Sequence, residues 1–131
     1  ENKGKVNFDM QNYMAVFNAI GLCKFILSGR IGPSTIVKWL KYSTGLDFSE
    51  NELLETGERL FNLKRLFNLR LEISRKDDII SERLLKQPRP EGSSKDILPD
   101  FEKMLDEYYN IRGWDQEGIP LLEKLKELGL C

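Results

Sequence analysis

Cys23 and Cys131 are the only two cysteines of the 131-residue sequence, which contains no histidine. No Ser–His or Cys–His pair is therefore available for nucleophilic catalysis, and the commonest switchable acid–base group is absent. What remains open is the chemistry of a thiolate ligand. Cys23 lies in the stretch Phe17-Asn18-Ala19-Ile20-Gly21-Leu22-Cys23-Lys24-Phe25. Before it, Met10, Tyr13, Phe17 and Ile20 recur at intervals of three or four, which is one face of a helix. Gly21 follows the last of them, where a left-handed C-terminal cap is expected. Cys23 should then lie on the first turn of chain beyond a helix, either as a metal ligand or as a small core residue. Residue type alone favours the core role, because free cysteine packs as a small hydrophobe.

The elements that must position this thiol follow from pattern and punctuation. Glu1 to Lys5 is polar and expected to fray. The first helix should begin near Asn7 or Asp9, both good N-caps, and run to Ile20. Ser28-Gly29-Arg30-Ile31-Gly32 breaks the chain. Pro33 and Ser34 open a second helix, with Ile36, Val37, Trp39 and Leu40 inward and Gly45 ending it. Ser49 and Glu52 have capping-box spacing at the start of the longest helix, expected to reach Glu72. Its second half carries Leu63, Leu66, Phe67, Leu69 and Leu71 most of the way round, so cover on several sides is expected. Ser74 to Asp78 reads as a charged connector and Ile79 to Lys86 as a short helix. Gln87 to Ser94, with two prolines, is the clearest loop. Pro99 opens another helix, ended by Gly113. Pro120 opens the last, with Leu121, Leu122, Leu125 and Leu128 inward. No alternating strand pattern, internal repeat or low-complexity tract stands out. The expected fold is all-α, one domain over 1–131, with 1–6 and 87–97 flexible.

Bulk numbers narrow the class. With 40% hydrophobic and 31% charged residues the chain is globular. A net charge of −1 gives no general attraction to nucleic acid or an anionic membrane. No apolar run approaches the roughly 20 residues that span a bilayer, and Glu1–Lys5 shows no signal-peptide pattern. Two cysteines give no disulfide framework, so a reduced, cytoplasmic setting is expected. The first residue is not Met, which suggests a fragment or processed product. Other clusters read as structural. Asp106, Glu107 and Asp115 lack the spacing of a loop that wraps a hard cation. Tyr108, Tyr109 and Trp114 have no basic stripe beside them, so packing is preferred over base stacking. Arg75-Lys76-Asp77-Asp78 reads as a solvated connector with local salt bridges, each worth under about 1 kcal/mol.

The stretch around Cys23 resembles a segment of the tungsten-containing aldehyde:ferredoxin oxidoreductase family, where the pattern is Asp-x-x-Gly-Leu-Cys. The resemblance extends in order through Gly57-Glu58-Arg59, Asn62 to Arg70, Ser74 to Asp78, Arg83-Leu84-Leu85, Asp106 to Tyr109, Arg112 to Asp115 and Gly118-Ile119-Pro120, to a Leu-Gly-Leu end. It implies the C-terminal helical part of a larger multidomain oxidoreductase. Cys23 would be one of four ligands of a 4Fe–4S cluster, the other three lying in an upstream Cys-x-x-Cys-x-x-x-Cys run that this sequence lacks. Gly21 and Leu22 would line one pterin of a tungsten (or molybdenum) bis-pterin cofactor. Asn18 stands where the family has aspartate, and a carboxamide offers one acceptor and one donor group where a carboxylate offers two acceptors. The implied activity is oxidation of an aldehyde to a carboxylate, with electrons leaving through the cluster to ferredoxin. The family's acid–base residues lie upstream, so the isolated chain is expected to be inactive and to hold no cofactor. Implied partners are the missing N-terminal domains, ferredoxin, the aldehyde and a further copy of the enzyme. The alternative is a stand-alone helical interaction module without redox activity, docking through the surface around Leu63–Leu71.

Overall fold

A computed structural model describes residues 2–131; Glu1, part of the expected frayed start, lies outside the described residues. Among the described residues six α-helices follow one another: α1 (Lys3–Ile20), α2 (Pro33–Thr44), α3 (Glu50–Arg70), α4 (Glu82–Lys86), α5 (Phe101–Arg112) and α6 (Leu122–Glu127). Two 3-10 turns, Lys24–Gly29 and Arg75–Asp77, complete the regular structure. The fold is all-α. Among the described residues β pairing is confined to two isolated bridges, Arg89 with Lys95 and Trp114 with Pro120.

α1 is the axis of the molecule, packed on α3 and α5. It begins at Lys3, not at Asn7 or Asp9, so the chain is helical from Lys3 onward. Tertiary packing is the reason. Gly4 is buried, its N–H donates to Glu107 Oε2 at 3.1 Å, and a Cβ there would come within 2.8 Å of the Tyr108 nitrogen. The inward face also differs from the apolar row. Met10 and Ile20 are exposed, whereas Asn12, Ala15, Val16 and Phe17 are buried.

Two contacts select that face. At the α1–α3 crossing, Gly57 presses its backbone on Asn12: a Cβ at 57 would lie 2.1 Å from the Asn12 carbonyl oxygen. The second is Arg112, the last residue of α5, whose side chain is fully buried. It donates from Nε to the Tyr108 hydroxyl at 2.9 Å, from Nη2 to Gln11 Oε1 at 2.8 Å, and from Nη1 to Asn12 Oδ1. Phe61 and Phe8 cover its planar faces, 4.1 and 4.4 Å from the guanidinium carbon. A buried cation is costly unless hydrogen-bonded, and here amide and phenol oxygens replace its water. Gln11 and Asn12 therefore point inward from a helix whose apolar residues suggested otherwise.

Two apolar clusters form around this axis. Val16, Phe17, Ile36 and Leu53 make one, and Tyr108, Tyr109 and Trp114 the other. In α2, Ile36 is fully buried, while Trp39, expected inward, is exposed. α3 starts with the expected capping box: Glu52 N–H donates to Ser49 Oγ at 3.2 Å, and Ser49 N–H to Glu52 Oε2 at 2.8 Å. The helix ends at Arg70, short of the expected Glu72; in its second half Leu66 and Leu69 are half-buried, but Leu63, Phe67 and the capping Leu71 are exposed at 52%, 61% and 59%. Cover from within the chain reaches only one side. α4 is shorter than the expected 79–86 segment. Pro120 is buried in its bridge to Trp114, so α6 starts beyond it, with Leu121 and Leu122 exposed and Leu128 buried.

The crossing gives a direct test. Gly57→Ala gains about 1 kcal/mol of helix propensity but forces two helices apart, and overpacking costs about 1–3 kcal/mol or more. Because the clash is with backbone, the loss should win, lowering the unfolding free energy in urea by about 2 kcal/mol. Gly29→Ala, whose Cβ would meet only Ile31 at 3.9 Å, should stay within about 0.5 kcal/mol of wild type.

Candidate functional site

The C-terminal end of α1 is built as its residue types require. Gly21 takes φ 73°, and both its N–H and that of Leu22 (2.9 Å) bond back to the Phe17 carbonyl. Leu22 is then drawn onto the Val16–Phe17–Ile36–Leu53 cluster. Cys23 follows in extended conformation, φ −73° and ψ 130°, and its carbonyl accepts from Ile26 N–H at 3.1 Å. Ile26 and Leu27 of the 3-10 turn pack on the same cluster, and Tyr13 donates its hydroxyl to the Ile31 carbonyl at 2.9 Å. The backbone on both sides of Cys23 is thus tied to the core. Its own side chain is exposed, as are Asn18 and Gly21. The core role that residue type alone favoured for Cys23 does not hold. Cys131 is exposed as well.

What this arrangement can bind is limited by count. Among the described residues no three His, Cys, Asp or Glu side chains gather where they could hold a metal ion. The solvent-facing Cys23 thiol offers a single ligand on a fixed backbone, where an iron–sulfur cluster needs four. Asn18, Gly21 and Cys23 are exposed at the C-terminal end of α1, while Leu22 between them packs inward.

A second polar centre lies between α3, the 75–78 turn and α5. Arg65, almost fully buried, donates from Nε to the Gly118 carbonyl at 2.8 Å and pairs through Nη1 with Asp78 Oδ2 at 2.8 Å. Its guanidinium stacks 4.8 Å from the Trp114 ring. Tyr109 donates its hydroxyl to Asp78, and Trp114 Nε1 donates to Asn62 Oδ1 at 2.7 Å. Arg75 bridges to Glu102 and Asp106 at 2.9 and 2.7 Å. The reading of 75–78 as a connector with only local bridges is therefore corrected: its charges reach α3 and α5. Asp106 and Asp115 serve structure, Asp115 Oδ1 accepting from Glu117 and Ile119 N–H at 2.9 Å each. Gly118, at φ 76°, leaves the space Arg65 needs, since a Cβ there would lie 2.0 Å from Arg65 Nη2. Sequence reading missed Asn62 and Arg65 because the long helix was scanned for apolar residues. The signal present was polar residues at positions 58, 62 and 65, one stripe of a helix.

A cleft of about 590 Å³ borders this centre, lined by Phe61, Ile79, Phe101, Met104 and Leu105 among others. It opens beside the first half of α1, and neither Asn18 nor Cys23 lines it.

Residues 1–130 match the family described as aldehyde ferredoxin oxidoreductase, domains 2 and 3. The chain belongs to this family. It is 40% identical over 131 residues to the tungsten-containing aldehyde ferredoxin oxidoreductase of Pyrococcus horikoshii, covering 99% of this chain and 21% of that one. The Thermococcus kodakarensis enzyme of the same name is 37% identical over 132 residues, covering 100% of this chain and 22% of its own length. The chain thus spans about a fifth of the curated relatives it matches. Among solved structures, the active-site complex BamBC of benzoyl coenzyme A reductase shares the fold with a TM-score of 0.59 at 25% identity, over 76% of this chain and 14% of that one. No helix among the described residues is long and apolar enough to cross a membrane.

The Arg65–Asp78–Tyr109 centre predicts a pH response. Burial, and then the bond to Asp78, hold the Tyr109 hydroxyl well above its ordinary value. Burial does the same for Tyr108. The folded chain therefore keeps these protons at pH values where the unfolded chain loses them. Their contribution is complete below the unfolded value of about 10 and declines as pH rises beyond it. Unfolding free energy should be flat in this respect up to about pH 9 and fall above about pH 10. Tyr109→Phe should cost about 1 kcal/mol at neutral pH and make the alkaline fall shallower, as read from urea titrations at several pH values.

Proposed function

We propose that this chain is the C-terminal helical part of a tungsten- or molybdenum-containing aldehyde:ferredoxin oxidoreductase, and that Cys23 supplies one of the four ligands of its 4Fe–4S cluster. The observation that carries the reading is the exposed Cys23 thiol on a backbone pinned to the core on both sides. An oxidoreductase cluster must be held at a fixed distance from its electron donor, and a ligand on a packed turn does that better than one on a free loop. Asn18, Gly21 and Leu22 would form the adjoining edge of the pterin site. Gly21 presents backbone without a side chain, Leu22 carries the chain from the cap into the core, and Asn18 offers its carboxamide to the pterin's polar edge.

The pterin-held metal would supply the two-electron oxidation of an aldehyde to a carboxylate, with ferredoxin taking the electrons. This chain's residues would not perform acid–base steps on the substrate. Their work is to fix one iron, to limit the cofactor's rotation and to keep water from the junction. The setting proposed is a reduced, cytoplasmic one, where a free thiol stays available for iron.

A second reading is favoured by the exposed Leu63, Phe67 and Leu71. It makes the chain an independent interaction module with no redox role.

Anaerobic iron–sulfide reconstitution separates the two. The isolated 131-residue chain should bind iron well below one cluster per chain and show no aldehyde oxidation. The longer polypeptide that contains it should take up a cluster, and Cys23→Ala in that polypeptide should abolish it, read by iron content and visible absorbance. A stoichiometric cluster in the monomeric 131-residue chain, or a cluster unaffected by Cys23→Ala, overturns the assignment.

A further inference from the structure

The second half of α3 exposes an apolar stripe flanked by cations. From Arg59 to Leu71 the sequence has four cations, Arg59, Lys64, Arg65 and Arg70, and no carboxylate. Arg65 is consumed by Asp78 and Arg59 by Glu55. Lys64 and Arg70 form no ion pair among the described residues. Leu63 and Phe67 lie four apart and Leu71 follows four later, so they share one stripe. At about 100° per residue Lys64 falls on one flank of that stripe and Arg70 on the other. All three apolar residues are more than half exposed, at 52%, 61% and 59%. The opposite side of the same helix is packed by Asn62 and Arg65.

We infer that this stripe is an inter-domain face, covered in the parent enzyme by an apolar segment whose edges carry carboxylates. It rests on the proposed reading of the chain as one part of a longer enzyme. Two observations choose this occupant. The chain accounts for only about a fifth of its relatives' length, so most of the relatives' polypeptide lies outside it. The flanking cations repel a second copy of the same stripe, which would set Lys64 and Arg70 against their like. An acid-edged apolar segment meets both requirements: it buries three large side chains and neutralises two unpaired charges.

Thiol footprinting tests the assignment. Phe67→Cys and, separately, Leu63→Cys are introduced into the isolated chain and into the longer polypeptide encoded by the same gene. Maleimide modification is followed by peptide mass spectrometry, so that Cys23 and Cys131 are read separately. Both new thiols should react freely in the isolated chain. In the longer polypeptide they should react at least about tenfold more slowly at any protein concentration, and recover full reactivity in denaturant. Equal reactivity in both settings overturns the face. So does protection in the isolated chain that grows with concentration, which would mean a second copy, and so does a gene that encodes nothing further. Iron content of the same longer polypeptide reports on Cys23 independently, so loss of the ligand assignment and loss of the face give different results.

Discussion

A single buried guanidinium holds this domain together. Arg112 ends α5, yet its two Nη groups donate to Asn12 and Gln11 of α1, and its faces meet Phe61 of α3 and Phe8 of α1. Its contacts therefore join α1, α3 and α5. The site depends on it at a distance. α1 delivers Asn18, Gly21 and Cys23 at its far end, and the direction of α1 is set where Asn12 meets Arg112 and Gly57. Burial pulls the guanidinium's proton affinity down, but arginine keeps its charge across any ordinary pH. The lock is therefore insensitive to acid in a way that a histidine or carboxylate lock would not be.

Local rules read well from the sequence. Gly21, Gly45 and Gly113 all end helices with positive φ, as their place after the last periodic residue suggested. The Ser49–Glu52 box and the proline opening of α2 likewise stand where their chemistry put them. These features are short-range, so a sequence window contains all the atoms that decide them. The inward face of α1 is a different matter. Met10 and Ile20 belong to a plausible apolar row, and yet Asn12 is buried while they are not. What decides the face lies 100 residues away at Arg112, which bonds Asn12, and about forty-five away at Gly57. Apolar counting cannot see a polar residue that is buried because a distant cation needs it.

The same reasoning explains the second polar centre. Arg65, Asn62 and Asp78 look like ordinary solvent-facing residues in sequence, and Arg75 to Asp78 like a solvated, charged connector. In space they tie the turn after α3 to α5 and to the 113–120 loop. Buried charge pairs are seldom a net gain over apolar packing, but removing one partner strands the other. Such a centre fixes which loop conformation is allowed more than it adds stability, and Gly118 shows the constraint directly, since no side chain fits beside Arg65 there.

For the candidate site, the motif was legible and its completeness was not. Gly-Leu-Cys after a helix pointed to a thiol beyond a cap, and that is where Cys23 stands, facing solvent. Nothing in the sequence window could decide between exposure and burial, because the deciding contacts are those of Leu22, Ile26 and Leu27 with the Val16–Phe17–Ile36–Leu53 cluster, which two distant helices complete. Those three side chains occupy the inward directions available around the turn. With them packed, the intervening Cys23 and Phe25 are left on the outside, Phe25 at 74% exposure. The thiol faces outward because its neighbours face inward. That is a more robust arrangement than a flexible arm, since moving the sulfur would require unpacking an apolar cluster, and each large buried side chain contributes about 1.5–3 kcal/mol. Rigidity of this kind costs a globular fold little, and it leaves the thiol in one fixed outward position.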